Sequence, residues 1–527
     1  MYRNKQIERA LTEDFDIVII GGGITGAGIF LRAAQRGLRP LLLDKGDFAI
    51  GTSSRSSKLI HGGLRYLAYF RIKMVYEGLH EREHLLKMYP HLVRPQAFFM
   101  PVYHSWVNRL KFSVGLTGYD MLQGKSLMPK HISIPRDEIK IRFKQIKHDD
   151  LKGGFLYYDA RTNDARLTNE VIQQGVQLGG VALNYMKVNG FELKENAVAA
   201  LRCIDTLKGG NYHFSGKVTV SAAGVWTDDL LSKLAPQEKK FMKPSKGIHV
   251  ITSGDFFPRD TVLILPSEEG DGRFIWCVPW EDNLNVIGTT DTDYEGDIDR
   301  LLTTGEEVDY LLKSVNKYLA GAQLTKDDVL STYAGLRPLL DDYDEENEST
   351  SRSRDFEVWW NNDNFVTIAG GKLTSFLSMA DDLLEQVKEK KMPEMPDLPA
   401  EADREPPRLN VPAFPIYQML RDIYGDANTL LIKDIIDQDQ ATGFRIDIKY
   451  RYLIAEFIFF IRYQHAVTLD DIFTRRTLIS YNMKVWDEPL IQKTLEIFRQ
   501  ELSWSEEECS HQVESYRKSW EEMHTWK

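Results

Sequence analysis

Gly21, Gly23 and Gly26 separate the apolar run "FDIVII" from "ITGAGIFLRAAQRG", whose apolar spacing is helical. Glycines at this G-x-G-x-x-G spacing, between a strand and a helix, permit a tight turn and a close backbone approach to a pyrophosphate. The helix N-terminus then favours the negative charge. "RPLLLDK" reads as the next strand, and Asp44 at its end, about 20 residues from the turn, can accept from ribose hydroxyls. The pattern alone fits NAD as well as FAD. Two further features point to FAD: the turn opens the chain, and a second glycine turn, Gly370-Gly371-Lys372-Leu373-Thr374, stands at a helix start far downstream. Two such turns can serve the two ends of FAD, one at the pyrophosphate and the other aiming a helix N-terminus at the isoalloxazine, where negative charge develops on reduction.

Three arginines sit beside glycine or within apolar stretches: Arg65 in "GGLRYL", Arg273 in "DGRFIWCV" and Arg337 in "AGLRPL". A guanidinium in such a place needs an anionic partner, because burying it unpaired costs several kcal/mol. That partner is either an internal Asp or Glu or a bound anion such as a phosphate. His249, in "KGIHVI" on an expected strand, has an ordinary pKa near ~6.5 that suits a general base. A lone strand histidine is usually a structural hydrogen-bonder. The stretch "GTSSRSSKLIHGGLRYL" (51–67) reads by composition as a solvated loop. In "DTDYEGDIDRLL" (291–302), acids at positions 1, 3 and 5 with Gly296 at 6 imitate a calcium loop, but Leu302 stands where a Glu is needed. No metal is expected.

The elements that must position these residues are legible in outline. "FDIVII", the helix after it and "RPLLLDK" form one βαβ unit. "GKVTVSAAGVW" is another strand entering a small-residue turn, and 247–290 reads as an antiparallel sheet rich in β-branched and aromatic residues. An acidic, serine-rich loop (341–355) precedes the second strand, glycine turn and helix. Seven prolines between Met392 and Pro415 mark an extended linker, and beyond it the periodicity is helical, with Thr468 and Asp471 spaced as a capping box.

The chain has 527 residues, 43% hydrophobic and 27% charged, enough for two or three cores. A net charge of -11 argues against nucleic-acid binding. Three dispersed cysteines, with no CxxC pair, suggest neither a zinc site nor a disulfide framework and fit a reducing compartment. No signal-peptide core or long apolar span is seen, so neither export nor a membrane crossing is expected. Residues 104–147 carry nine Lys or Arg against three acids, with Trp106, Leu110, Phe112, Leu116 and Met121 among them. Basic charge beside large apolar groups suits an anionic membrane surface, or else covers part of the core.

"DKGDFAIGTSSRSSKLIHGGLRYL", "SAAGVW", "KPSKGIHV", "DGRFIWCVPW", "VIGTTDTDY", "YAGLRPL", "IAGGKLTSF" and "LDDIFTRRT" together resemble the FAD-dependent glycerol-3-phosphate dehydrogenases, in order and over nearly the whole chain. "SAAGVW" departs from the family, which commonly has Asn first and Pro before Trp. The resemblance implies an α/β (α+β overall) fold: a Rossmann-like FAD-binding domain of the glutathione-reductase/D-amino-acid-oxidase type, a substrate domain with an antiparallel sheet, and a C-terminal helical cap. The expected division is 14–100, 151–246 and 331–391 for the FAD-binding domain and 101–150 for a basic amphipathic segment. The substrate domain takes 247–330, the linker 392–411 and the helical domain 412–527.

The resemblance also implies oxidation of sn-glycerol 3-phosphate to dihydroxyacetone phosphate with hydride transfer from C2 to FAD N5, electrons passing to a membrane quinone. It places Arg65, Tyr66, His249, Arg273, Arg337 and Lys372 around the substrate, with His249, Arg337 and Lys372 catalytic. Arg337 suits a developing alkoxide better than it suits proton acceptance. FAD is assigned to Gly21, Gly23, Gly26, Asp44, Thr52, Ser53, Ser57, Lys58, His61, Gly63, Ala223, Gly224, Trp226, Gly371, Lys372, Leu373 and Thr374. Arg475 and Arg476 of "TRRT" are expected to pair with acids. The expected location is cytoplasmic and peripheral on the inner face of the cell membrane, with a homodimer left open. Rival readings are a glycerol-3-phosphate oxidase using O2, an amine-oxidising flavoenzyme whose pocket would need fewer cations, and a non-catalytic nucleotide-binding module.

Overall fold

The computed structural model describes residues 2–237, 239–268, 273–321, 323–341 and 355–526; the side chain of Arg65 and most of the acidic stretch 341–355 lie outside the described residues. "FDIVII" has no polar alternation because its strand, Phe15–Ile20, is buried along its whole length at the centre of a mostly parallel sheet. The strand order is Phe356–Trp360, Phe365–Gly370, Gly216–Ser221, Phe15–Ile20, Pro40–Leu43 and Val181–Leu183, and only Phe356–Trp360 runs antiparallel to its neighbour. Three adjacent parallel strands therefore end side by side, each running into a glycine-containing turn: Gly21-Gly22-Gly23, Ala223-Gly224 and Gly370-Gly371. Ligands of open α/β sheets bind in the crevice outside such carboxyl ends.

Helix Ile24–Gln35 packs against helices Asp164–Gln177 and Phe376–Lys390. Gly28 makes the second approach possible, since a Cβ there would lie 2.8 Å from the Phe376 ring. The two helices that begin at the two glycine turns are thus braced against each other.

A second, ten-stranded sheet holds Ser245–Ser253 between Leu284–Gly288 and Val329–Arg337, antiparallel to both, with Phe274–Pro279 and Thr261–Pro266 continuing the antiparallel run. Strand Arg94–Tyr103, which straddles the expected boundary between residues 100 and 101, and strand Leu151–Arg161, within an expected FAD-binding segment, hydrogen-bond into this sheet. Arg94–Tyr103 pairs in parallel with Thr261–Pro266. Their apolar patterns reveal strands but not the sheet they join.

The basic segment folds as helix Trp106–Gln123, capped by Ser105, then strand Ile132–Ile134 and helix Arg136–Arg142. Past the proline-rich segment, helices Pro415–Gln438, Ile454–Tyr463, Glu488–Leu502 and Glu506–Glu522 enclose a core that includes Phe457, Phe459, Phe460, Ile472 and Phe498. Each such side chain contributes about 1.5–3 kcal/mol on burial. Helix Pro415–Gln438 breaks at Gly425 (φ 74°). The Thr468–Asp471 capping box forms, with Asp471 N–H donating to Thr468 Oγ1 at 3.1 Å and Thr468 N–H to Asp471 Oδ2 at 3.0 Å.

Candidate functional site

A single cleft of about 1480 Å³ runs between the two sheets. At one end stand Gly21, Gly23 and Asp44, and the turns Ala223-Gly224 and Gly371–Thr374 line its wall. Gly26 lies outside it and serves packing: a Cβ there would fall 1.8 Å from the Gly21 carbonyl oxygen, so only glycine lets the helix start so close to the strand. Helix Ile24–Gln35 has no side-chain cap from Gly23, although Ser53 Oγ accepts from Ile24 N–H at 2.9 Å. Asp44 accepts from Gly22 N–H at 2.6 Å and Gly46 N–H at 2.9 Å. Burial nevertheless pushes its carboxyl up to about 6. A ribose hydroxyl or water would stabilise the ionised form. This cradle of bare backbone, open helix end and terminal carboxylate fits the adenylate half of a dinucleotide.

The same cleft is lined by Tyr66, His249, Arg273, Arg337 and Lys372, and by Thr52, Ser57, His61, Gly63 and Trp226. Lys372 Nζ stands 4.1 Å from the centre of the Tyr66 ring. His249 is 3% exposed, stacked on Tyr333 with centroids 4.6 Å apart, and its Nε2 meets Ser57 Oγ at 3.0 Å. Burial, with Lys58 and Arg337 nearby, holds the imidazole well below its usual 6.5. It is a neutral ring at physiological pH. Arg337 ends strand Val329–Arg337, where Asp291 pairs with it at 3.0 Å. It therefore has the internal acid partner that the sequence left open and still lines the cleft.

Lys58 is one of the residues that the resemblance assigns to FAD. Its ammonium turns into the protein, donating to Asp164 Oδ1 at 2.7 Å and to the Ser54 carbonyl oxygen at 2.5 Å, over the rings of Trp280 and Tyr333. Its side chain does not reach the cleft. Asp164, fully buried at the start of helix Asp164–Gln177, also accepts from Ser56 N–H at 3.0 Å and Ser56 Oγ at 2.6 Å. Tyr333 donates to the Ser56 carbonyl oxygen at 2.8 Å. These contacts fix the loop carrying Ser53 and Ser57. Nothing in the spacing of Asp164 or Tyr333 singled them out, because their partners lie more than a hundred residues away. The side chain of Arg65 lies outside the described residues, so its place is not seen.

Arg475 and Arg476 pair with acids: Arg475 reaches Asp47, Asp470 and Asp471, and Arg476 grips both oxygens of Asp47 at 2.7 and 2.8 Å. Among the described residues no group of three His, Cys, Asp or Glu side chains could hold a metal ion.

Residues 16–377 match the family described as FAD dependent oxidoreductase, and residues 412–509 match the C-terminal domain of alpha-glycerophosphate oxidase. The aerobic glycerol-3-phosphate dehydrogenase of Staphylococcus aureus (strain USA300) is 38% identical over 392 residues, 74% of this chain and 70% of that protein. The glycerol-3-phosphate dehydrogenase of Bacillus halodurans, solved in complex with FAD, superposes with a TM-score of 0.77 at 27% identity, covering 99% of this chain and 97% of the other. The L-alpha-glycerophosphate oxidase of Mycoplasma pneumoniae, with FAD bound, shares the fold at a TM-score of 0.59 and 17% identity, over 76% of this chain and all of that one.

Proposed function

The chain belongs to the FAD-dependent glycerol-3-phosphate dehydrogenases, and from that premise we propose that it oxidises sn-glycerol 3-phosphate to dihydroxyacetone phosphate and passes the electrons to a membrane quinone. The observation that carries this reading is the single cleft joining both glycine turns to His249, Arg273, Arg337 and Lys372.

The Gly21 turn and Asp44 would hold the adenylate half of the cofactor, and Gly371, Lys372, Leu373 and Thr374 the other end. FAD, when bound, accepts the hydride equivalent that leaves C2. Arg65, Arg273 and Lys372, with Tyr66, receive the phosphate dianion and set C2 in place. The C2 hydroxyl proton passes to the His249–Ser57 pair, and Arg337 stabilises the negative charge growing on that oxygen. His249 is available for this as a neutral ring, because burial, and then Lys58 and Arg337, disfavour its protonation.

Quinone as acceptor is supported by the mouth of the cleft. Phe70, Met74, Phe112 and Val114 line it beside Lys111, and helix Trp106–Gln123 continues outward with Trp106, Val107, Leu110, Val114 and Met121 exposed. An apolar helix face left exposed among the described residues, in a basic segment, suits contact with an anionic bilayer where a quinone resides. Among the described residues no helix is long and apolar enough to cross a membrane.

The deciding experiment is anaerobic addition of glycerol 3-phosphate to the FAD-loaded protein. Flavin absorbance is expected to bleach, and to return with a short-chain quinone faster than with air and without stoichiometric peroxide. Loaded protein that does not bleach overturns the substrate, and peroxide at one equivalent per turnover replaces quinone by O2.

A further inference from the structure

We propose that Asp291, with Gly247 beneath it, positions the Arg337 guanidinium at the substrate end of the cleft; the inference rests on Arg337 facing substrate. An arginine side chain is long and flexible, and Arg337 stands at the last residue of its strand. The guanidinium is nonetheless seated from several directions. Nη1 donates to Asp291 Oδ1 at 3.0 Å and to Ser245 Oγ at 3.2 Å. Nη2 donates to the Thr290 carbonyl oxygen at 3.0 Å and to Thr289 Oγ1 at 3.2 Å.

The sheet register explains the seat. Ser245 lies opposite Arg337 in the antiparallel pair, and Gly247, two residues along, faces the same side. A Cβ on Gly247 would sit 2.6 Å from Nη2, 2.9 Å from Nη1 and 2.5 Å from Thr289 Oγ1. Without a side chain at 247 the guanidinium lies flat across the strand. Among the contacts to described residues given above, Asp291 supplies the negative charge, and it is 8% exposed. In so enclosed a place an ion pair is strongly directional, so it fixes the plane of the cation before substrate arrives. A cation already aimed where charge develops has little reorganisation left to make in the reaction. This also accounts for the first acid of the failed calcium loop: Asp291 serves an arginine, not a metal.

The test follows anaerobic flavin bleaching in FAD-loaded wild type, Asp291→Asn, Gly247→Ala, Arg337→Gln and the D291N/R337Q double variant across glycerol 3-phosphate concentrations. D291N is expected to lower the limiting bleaching rate about 10- to 100-fold, with the apparent Kd changed less than about threefold. G247A, which displaces the guanidinium from below, should act in the same direction. In the R337Q background D291N should add nothing, because there is no guanidinium left to aim. The inference is overturned if D291N stays within about twofold of wild type, or if it slows R337Q by the same factor as wild type. If D291N does not fold, G247A decides: a rate like wild type's overturns the seat. Loaded wild type that is never bleached overturns the substrate reading itself, and this is seen before any variant is compared.

Discussion

His249 faces Ser57, Tyr333, Lys58 and Arg337, with Asp164 and Asp291 behind the two cations. Burial and the two positive charges both disfavour protonation, so the imidazole stays neutral at pH 6.5 and takes a proton only at distinctly lower pH. If it is the base, the limiting rate of flavin reduction should run flat through pH 6.5 and fall only on further acidification. A stopped-flow pH profile inflecting at 6.5 or above would remove His249 from that role. Replacement His249→Gln should slow reduction by about 10²–10⁴-fold and abolish the acid limb. At this scale Arg337 was offered by its apolar, glycine-containing stretch, and His249 by the resemblance that "KPSKGIHV" carries. The sequence withheld Asp164 and Tyr333, and showed Asp291 only as the first acid of a calcium-like loop. An isolated acid or tyrosine has no distinguishing local pattern, and its meaning comes only from a partner brought up by folding.

Asp47 lies three residues past Asp44, on the turn that shapes the adenylate end, and is buried beneath the cap. Burial alone would raise its pKa, but Arg476 and Arg475 reverse this and hold it down to about 2. Its carboxylate therefore contributes stability fully above 3.8, the value of the unfolded chain, and loses it as pH falls towards 2. Replacing Asp47 by Asn should cost about 3–5 kcal/mol, since two buried guanidiniums lose their shared partner. The expected readout is a lower urea midpoint with faster FAD release in the same variant; unchanged FAD release would show that the cap and the cradle are independent. Local elements were the legible ones. The first βαβ unit and the Thr468–Asp471 box are each written within a short stretch, and both form. Which sheet Arg94–Tyr103 and Leu151–Arg161 would join was not legible, because pairing partners are chosen by the assembled core and not by the strand's own residues. The Asp47–Arg475 contact spans 428 residues, beyond any local pattern.

The whole molecule carries a net charge of -11, yet its segment 104–147 is basic and its helix Trp106–Gln123 turns Trp106, Leu110, Val114 and Met121 outward. Met121 is 76% and Leu110 67% exposed, as is Phe70, at 86%, on the turn that packs beside this helix. A solvated basic face would not need these side chains, whereas a bilayer rewards both features: anionic headgroups attract the lysines and arginines, and the apolar groups sink among the acyl chains. Attraction of the first kind is screened by salt and the second is not. The FAD-loaded protein should therefore sediment with vesicles containing phosphatidylglycerol, bind neutral vesicles less, and be partly released as ionic strength rises. Leu110→Glu with Met121→Glu removes apolar contact outside the cleft, so flavin bleaching by glycerol 3-phosphate should be unchanged while reduction of a vesicle-borne long-chain quinone falls about tenfold or more, the loss of roughly two buried side chains. If the double variant reduces the vesicle-borne quinone as fast as wild type, electrons leave by another face of the molecule.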